Sequence, residues 1–306
     1  MKNLNVAKIR QNLAKGLIPS ELEVSQLCAN AKELLVEEPN LVPANAPMIV
    51  VGNIHGQFED LMHILDIQGE TPDVNYLFLG GYVNRGHKGL ELFMYLLTLK
   101  VSNPDRVILL RSNHESREIT QSYGFYDECC KKYGSLNVWR DCTDVFECLP
   151  LAAYIDSKAF AVNGGLSPDI TSVMDIQKID RKRDVPNSGA FCNLLWSDPQ
   201  EEDEGWGGNE RGQGMVFGIS EFRLFMENND LDKMYRSHEM FMNGYNQMFD
   251  NKLITIWSAP NYCGKCDNLG SVLKLDEHLN EEFVTFKSSG HKFRVNVPKM
   301  ELTSFF

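Results

Sequence analysis

The sequence predicts an α/β fold with sheets and helices in layers, and three observations lead there. Short apolar runs of strand type recur along the chain. Helical runs with apolar faces lie between them. Each apolar run ends at once in a loop of Gly beside Asn, His, Arg or Tyr. Strands alternating with helices indicate layered α/β architecture. In such sheets ligands bind beyond the carboxyl ends of the strands, where glycines permit tight turns.

The elements follow in order. Ser20 and Glu23 form an S-x-x-E capping box and mark the first clear helix. Leu22, Leu27, Leu34 and Leu35 recur on one face of it, and Pro39 stops it. Met48-Ile-Val-Val51 is a buried-type strand that ends in Gly52-Asn-Ile-His-Gly56, with a helix over 58–67. Tyr76-Leu-Phe-Leu79 ends in Gly80-Gly-Tyr-Val-Asn-Arg-Gly86, before a helix through Leu90, Phe93, Leu96 and Leu97. Val107-Ile-Leu-Leu110 ends in Arg111-Ser-Asn-His-Glu115. Ala159-Phe-Ala-Val162 ends in Asn163-Gly-Gly165, and Leu253-Ile-Thr-Ile-Trp257 in Ser258-Ala-Pro-Asn-Tyr262. Five polar, glycine-bearing loops at strand ends are a site signal where one would be a turn.

Length and charge set the class. The 306 residues read as one domain, with a helical segment at 1–46 and a tail at 287–306. Asp and Glu number 42 against 30 Lys and Arg, a net charge of -12. That surplus argues against nonspecific affinity for nucleic acid or an anionic membrane, which needs a basic face, and leaves room for a small basic groove. No apolar run is long enough to span a bilayer, and the first residues lack the apolar core of a signal peptide. The eight cysteines are expected as reduced thiols, which fits cytoplasm or nucleus. Cys263-Gly-Lys-Cys266 lacks two further ligands at zinc spacing and reads as two free thiols. The acidic run Asp198-Pro-Gln-Glu-Glu-Asp-Glu204 reads as a solvated loop. The Gly-rich stretch around Arg211 is a flexible turn or a loop that offers Arg to an anion.

Together these loops resemble the phosphoprotein phosphatases, the metal-dependent serine/threonine phosphatases. Gly52-Asn-Ile-His-Gly56 is similar to the family's GDxHG, and Gly80-Gly-Tyr-Val-Asn-Arg-Gly86 to GDxVDRG. Ser112-Asn-His-Glu115 is similar to GNHE, and Asn163-Gly-Gly165 to HGG. Trp196-Ser-Asp-Pro199, Arg211-Gly-Gln-Gly-Met-Val-Phe-Gly218, Arg236-Ser-His238 and Ser258-Ala-Pro-Asn-Tyr262 follow in family order. Tyr123-Gly-Phe-Tyr-Asp-Glu128 and Leu275-Asp-Glu-His-Leu279 resemble the type 2A branch, with types 4 and 6. The resemblance implies a calcineurin-like αββα sandwich, two mixed sheets flanked by helices, with the site at the loop rim.

It also implies a chemistry that this chain meets only in part. Family members use two divalent metals (Mn, Fe or Zn) to activate a bridging water. The implied ligands are Asp, His, Asp, Asn, His and His; here those positions hold Asn53, His55, Gly81, Asn113, Asn163 and His238. No carboxylate remains in the set, and hard cations favour anionic oxygens. The binuclear site is not expected, and no bound cofactor is. A weak single-metal site is compatible with two imidazoles and three amides. His114 matches the general acid, but Asn84 stands where its carboxylate partner belongs, so His114 should be a poorer acid. Arg85 and Arg211 match the phosphate-binding arginines, and Tyr262 the tyrosine over the cleft. Arginine can hold phosphate without a metal. The two arginines either bind a phosphorylated segment or anion, or pair with the protein's own acids.

The expected function is therefore a pseudophosphatase, a binding or assembly subunit. The alternatives are an active metal-dependent serine/threonine phosphatase with an altered site, and a phosphopeptide reader. By resemblance, the expected partner is a protein scaffold or larger assembly. The branch's terminal carboxyl-methylated leucine is absent, since the sequence ends Thr303-Ser-Phe-Phe306, so that regulation is not carried over.

Overall fold

Met48-Ile-Val-Val51 contains no polar residue, and the structure buries both of its faces. The computed structural model describes residues 4–201 and 205–289. Helices α1 (Val6–Ala14) and α2 (Glu21–Glu37) open the chain. There follow β1 (Leu41–Ala44), β2 (Met48–Val51), α3 (Phe58–Gln68), β3 (Tyr76–Phe78), α4 (Gly89–Ser102) and β4 (Val107–Leu109). Next come α5 (Arg117–Tyr123), α6 (Phe125–Tyr133), α7 (Asn137–Phe146), β5 (Ala152–Ile155) and β6 (Ala159–Val162). Then run α8 (Ala190–Trp196), β7 (Asp198–Pro199), β8 (Trp206–Gly208), β9 (Met215–Phe217) and α9 (Ile219–Asn228). The last strands are β10 (Lys233–Arg236), β11 (Tyr245–Met248), β12 (Leu253–Ile256), β13 (Gly270–Leu275) and β14 (Glu281–Phe286).

Two mixed sheets form, in the orders β1-β5-β6-β10-β12-β11 and β14-β13-β2-β3-β4. Side chains alternate across a strand, so each strand feeds two cores. Val50 and Leu77 pack between the sheets with Tyr235, Ile254 and Leu273. Ile49, Val51, Tyr76 and Phe78 point outward, under the helices that carry Leu27, Leu35, Phe93 and Phe146. Phe160 and Met234 face the opposite way, under Leu194, Leu195, Phe222 and Phe225 of α8 and α9. The result is helix, sheet, sheet, helix: the αββα sandwich expected from the sequence.

The capping box forms, with Glu23 N donating to Ser20 Oγ at 3.3 Å and Ser20 N to Glu23 Oε2 at 2.8 Å. The buried face of α2 is Val24, Leu27, Cys28, Ala31 and Leu35. Leu22 lies on the other face and is 67% exposed, which corrects the sequence-based stripe. An earlier helix, α1, precedes it; its apolar face is only Ile9 and Leu13, too little to stand out as periodicity. The hairpin of β13 and β14 and the small sheet β7-β9-β8 were also not anticipated. The tail at 290–306 and residues 202–204 of the acidic run lie outside the described residues.

Candidate functional site

Parallel pairing sets the rim. The register Val51↔Phe78 and Phe78↔Leu109 aligns the carboxyl ends of β2, β3 and β4. Parallel pairing of β6, β10 and β12 does the same in the other sheet. A bridge between Asn53 and Trp257, with Ser258 N donating to the Asn53 carbonyl at 3.1 Å, ties the two sets of loops together. Ser237 Oγ accepts from Asn53 N at 2.8 Å and donates to the Ile256 carbonyl at 2.6 Å. The predicted residues Asn53, His55, Gly81, Asn84, Asn113, His114, Asn163 and His238 are all buried, on loops at this rim.

Glu115 holds the central loops in place. Its carboxylate accepts from Gly81 N at 2.9 Å, Tyr82 N at 2.8 Å, Ser112 N at 3.1 Å and Ser112 Oγ at 2.5 Å. Burial pushes its pKa up, against the pull of those donors. The sequence reading quoted Glu115 within a motif and gave it no role.

Gly81 is the decisive position. Its backbone has φ +69°, the left-handed region that suits glycine. A Cβ there would stand 2.4 Å from Asn53 Cγ and 2.6 Å from Nδ2. The Asn53 amide therefore occupies the space into which a side chain at 81 would grow. Its Nδ2 lies 3.1 Å from His55 Nε2, and its Oδ1 accepts from Asn163 Nδ2 at 2.8 Å. Asn163 Nδ2 also donates to the Leu79 carbonyl at 2.9 Å. His55 Nδ1 lies 3.1 Å from the Val83 carbonyl, which can only accept. The network thus puts the His55 proton on Nδ1 and leaves Nε2 to accept from Asn53.

The same logic fixes His114. Asn84 Oδ1 accepts from Phe125 N at 3.1 Å, so its Nδ2 faces His114 Nδ1 at 3.0 Å as a donor. His114 then carries its proton on Nε2. A carboxylate at 84 would have demanded the opposite tautomer and would have stabilised an imidazolium. Burial pushes His55 down to about 3, with Arg85 adding to it. Burial also drives His114 well down, followed by His55 and Arg85. His238 falls for burial and Arg211, with Asp198 opposing. All three imidazoles are neutral at pH 7.

The arginines divide. The Arg85 guanidinium stacks 4.1 Å from the Tyr123 ring centroid, and its backbone is left-handed, as is that of Asn84. Arg211 donates through Nε to Asp198 Oδ2 at 2.7 Å, so this arginine is paired with the protein's own acid. Arg236, fully buried, donates to Asp198 Oδ1 at 2.8 Å and to Glu239 at 2.5 Å. Burial opposes the charge on Asp198, yet the Arg236 and Arg211 guanidiniums hold its carboxyl well below the usual range. Asp198 is thus no part of a solvated loop, which corrects the reading of the acidic run at its first residue. The flanking cations that bury it, above all Arg236, are distant in sequence. Tyr262 lies over the rim, its ring 5.4 Å from His55 and 4.9 Å from Trp257. Cys263 and Cys266 carry no disulfide.

A family model for calcineurin-like phosphoesterase matches residues 46–242. The chain belongs to that family. A solved protein serine/threonine phosphatase from Saccharomyces cerevisiae, described as similar to human phosphatase PP5, shares 34% identity with this phosphoesterase-family chain. The match covers 95% of this chain and 98% of that one, at a TM-score of 0.87. A cold-active protein-tyrosine phosphatase of a psychrophilic Shewanella shares the fold at 14% identity, covering 82% and 84%, with a TM-score of 0.58.

Calcineurin-like phosphoesterases of the phosphatase type work through two divalent metals, and the residues here do not fit that pair. The six positions offer imidazole and amide donors without one carboxylate. The space that a side chain at 81 would take is filled by the Asn53 amide, which is hydrogen-bonded to His55 and Asn163. Among the described residues, no cluster of three His, Cys, Asp or Glu side chains is placed to hold a metal. Two cations would bring four positive charges into a buried rim already flanked by Arg85 and Arg211. Asn113 Oδ1, Asn163 Oδ1 and His238 Nε2 are buried without hydrogen-bond partners, so these three donors are not consumed by the network. No helix among the described residues is long and apolar enough to cross a membrane.

Proposed function

We propose that this chain is a pseudophosphatase of the type 2A-like branch: a phosphatase fold that acts as a binding or assembly subunit without hydrolysis. The observation that carries this reading is the Asn53 amide seated where a residue-81 side chain would stand. Without a bridging carboxylate, nothing at the rim places a shared water between two ions. The neutral, Nε2-protonated His114 lacks the acid partner that would let it cycle. The rim retains Arg85 and Tyr262 for a phosphate or phosphopeptide, held rather than cleaved. The expected setting is a protein scaffold in the cytoplasm or nucleus. The test is turnover of a phosphoserine peptide by purified protein with manganese, against a His114→Ala control. Equal rates support the reading; a rate well above the control overturns it.

A second reading, an active phosphatase with an altered metal site, is favoured by the three unpartnered atoms on Asn113, Asn163 and His238. It predicts near-stoichiometric metal in purified protein by elemental analysis.

A further inference from the structure

A groove of about 110 Å³ lies between α9 and the loop that follows β6. Leu166, Pro168, Ile170, Trp206, Leu224 and Phe225 line it. Small-molecule and cofactor sites are larger, about 300 Å³ and up, so this volume suits one apolar side chain. Leu224 and Trp206 stand at its mouth, 59% and 36% exposed. Both are large apolar side chains partly open to solvent at a concave surface.

Charge selects the occupant. Glu221 lines the groove, and Asp169 sits exposed between Pro168 and Ile170. No Lys or Arg lines it. Arg223, on the same helix, is turned to Asp250 at 3.4 Å. A second copy of this chain would bring the same acidic rim and a net charge of -12 against itself. A basic partner meets no such repulsion. Among the described residues, the adjoining strand β8 pairs on one side, with β9.

We propose that this groove docks an extended segment of a partner protein that presents one large apolar side chain flanked by Lys or Arg. The apolar anchor fills the groove, and the basic neighbours meet Asp169 and Glu221. In sequence, Leu166 follows Asn163 by three residues, and Trp206 precedes Arg211 by five. The groove works in the same way whether or not the rim hydrolyses phosphate.

The experiment is a selection of random dodecapeptides displayed on phage against the full chain. The best sequence is then synthesised and titrated by fluorescence anisotropy. The expected peptides carry net positive charge around a Leu, Ile, Met or Phe. Leu224→Glu and Trp206→Ala should each weaken binding at least about ten-fold, as loss of a central anchor contact does. Met242→Glu, at an exposed residue that does not line the groove, should leave it unchanged. Circular dichroism establishes that each variant is folded. Four outcomes overturn the proposal: no enrichment, enrichment of acidic peptides, peptides that bind both groove variants as well as the parent, or a dimer in sedimentation that Leu224→Glu dissociates.

Discussion

Restoring the carboxylate at position 81 alone should damage the protein rather than repair it. In Gly81→Asp the new Cβ would stand 2.4–2.7 Å from the three end atoms of the Asn53 side chain. The amide must leave. It then gives up its contacts with His55 and Asn163, each worth about 1 kcal/mol. A left-handed backbone for a non-glycine residue adds about 1–2 kcal/mol. The aspartate would be buried beside Glu115, whose carboxylate already accepts from Gly81 N, and an uncompensated buried charge costs several kcal/mol. The total destabilisation is about 5 kcal/mol or more, which consumes much of a typical domain's stability. Urea unfolding followed by circular dichroism, in EDTA, measures it. Asn53→Ala in the same background should recover about 1–2 kcal/mol, because it removes the obstacle. The combination Asn53→Asp, Gly81→Asp and Asn163→His should be rescued by manganese, since its charge is then matched. A Gly81→Asp protein within 1 kcal/mol of the parent in EDTA would refute the steric reasoning.

Two further outcomes follow from the buried charges. His55, His114 and His238 stay neutral in the fold, while the unfolded chain takes up their protons below about pH 6.5. Stability should therefore fall as pH drops through that value, by about 1.4 kcal/mol per pH unit for each imidazole. Glu128, pushed up to about 7 by burial, binds its proton earlier in the fold and offsets part of the loss. His238→Asn should flatten the dependence by about 1.4 kcal/mol per unit between about pH 6 and 5; an unchanged slope in urea titrations would mean that His238 is charged in the fold. Asp198→Ala leaves Arg236 buried with one carboxylate fewer, and should cost about 3 kcal/mol or more in the same assay. A loss below about 1 kcal/mol would show that Glu239 suffices.

Much of the fold was legible because strand-end loops carry their chemistry next to apolar runs. The five strands ending at Gly52, Gly80, Arg111, Asn163 and Ser258 are where the sequence places them, to within a residue. The residue types at the positions matched by resemblance, Asn53, Gly81 and Asn163 among them, were legible too, since residue type is visible in one dimension. What filled the space was not. That Asn53 turns into the volume at Gly81 depends on a φ of +69° and on a neighbour 28 residues away. Asp198 looked like the start of a solvated acidic run because its immediate neighbours are acidic. Arg236, 38 residues on, makes it a buried ion-pair partner. Leu22 looked like core because leucine usually is, but helical spacing from Val24 through Leu35 puts it on the far face.

The rim backbone has its own consequence. His55, Asn84, Arg85 and His238 all hold left-handed conformations, and each such residue carries a conformational penalty on the order of 1 kcal/mol. Arg85 N donates to the Tyr123 carbonyl at 3.1 Å and Gly86 N to the His55 carbonyl at 2.9 Å, so the bend around Arg85 is fixed by the fold itself. An anion arriving there meets a receptor whose shape is already set, and little of its binding free energy is diverted to ordering the chain. Discrimination between anions at such a rim would then come from fit and desolvation, since the loop has little freedom left to mould itself to each one.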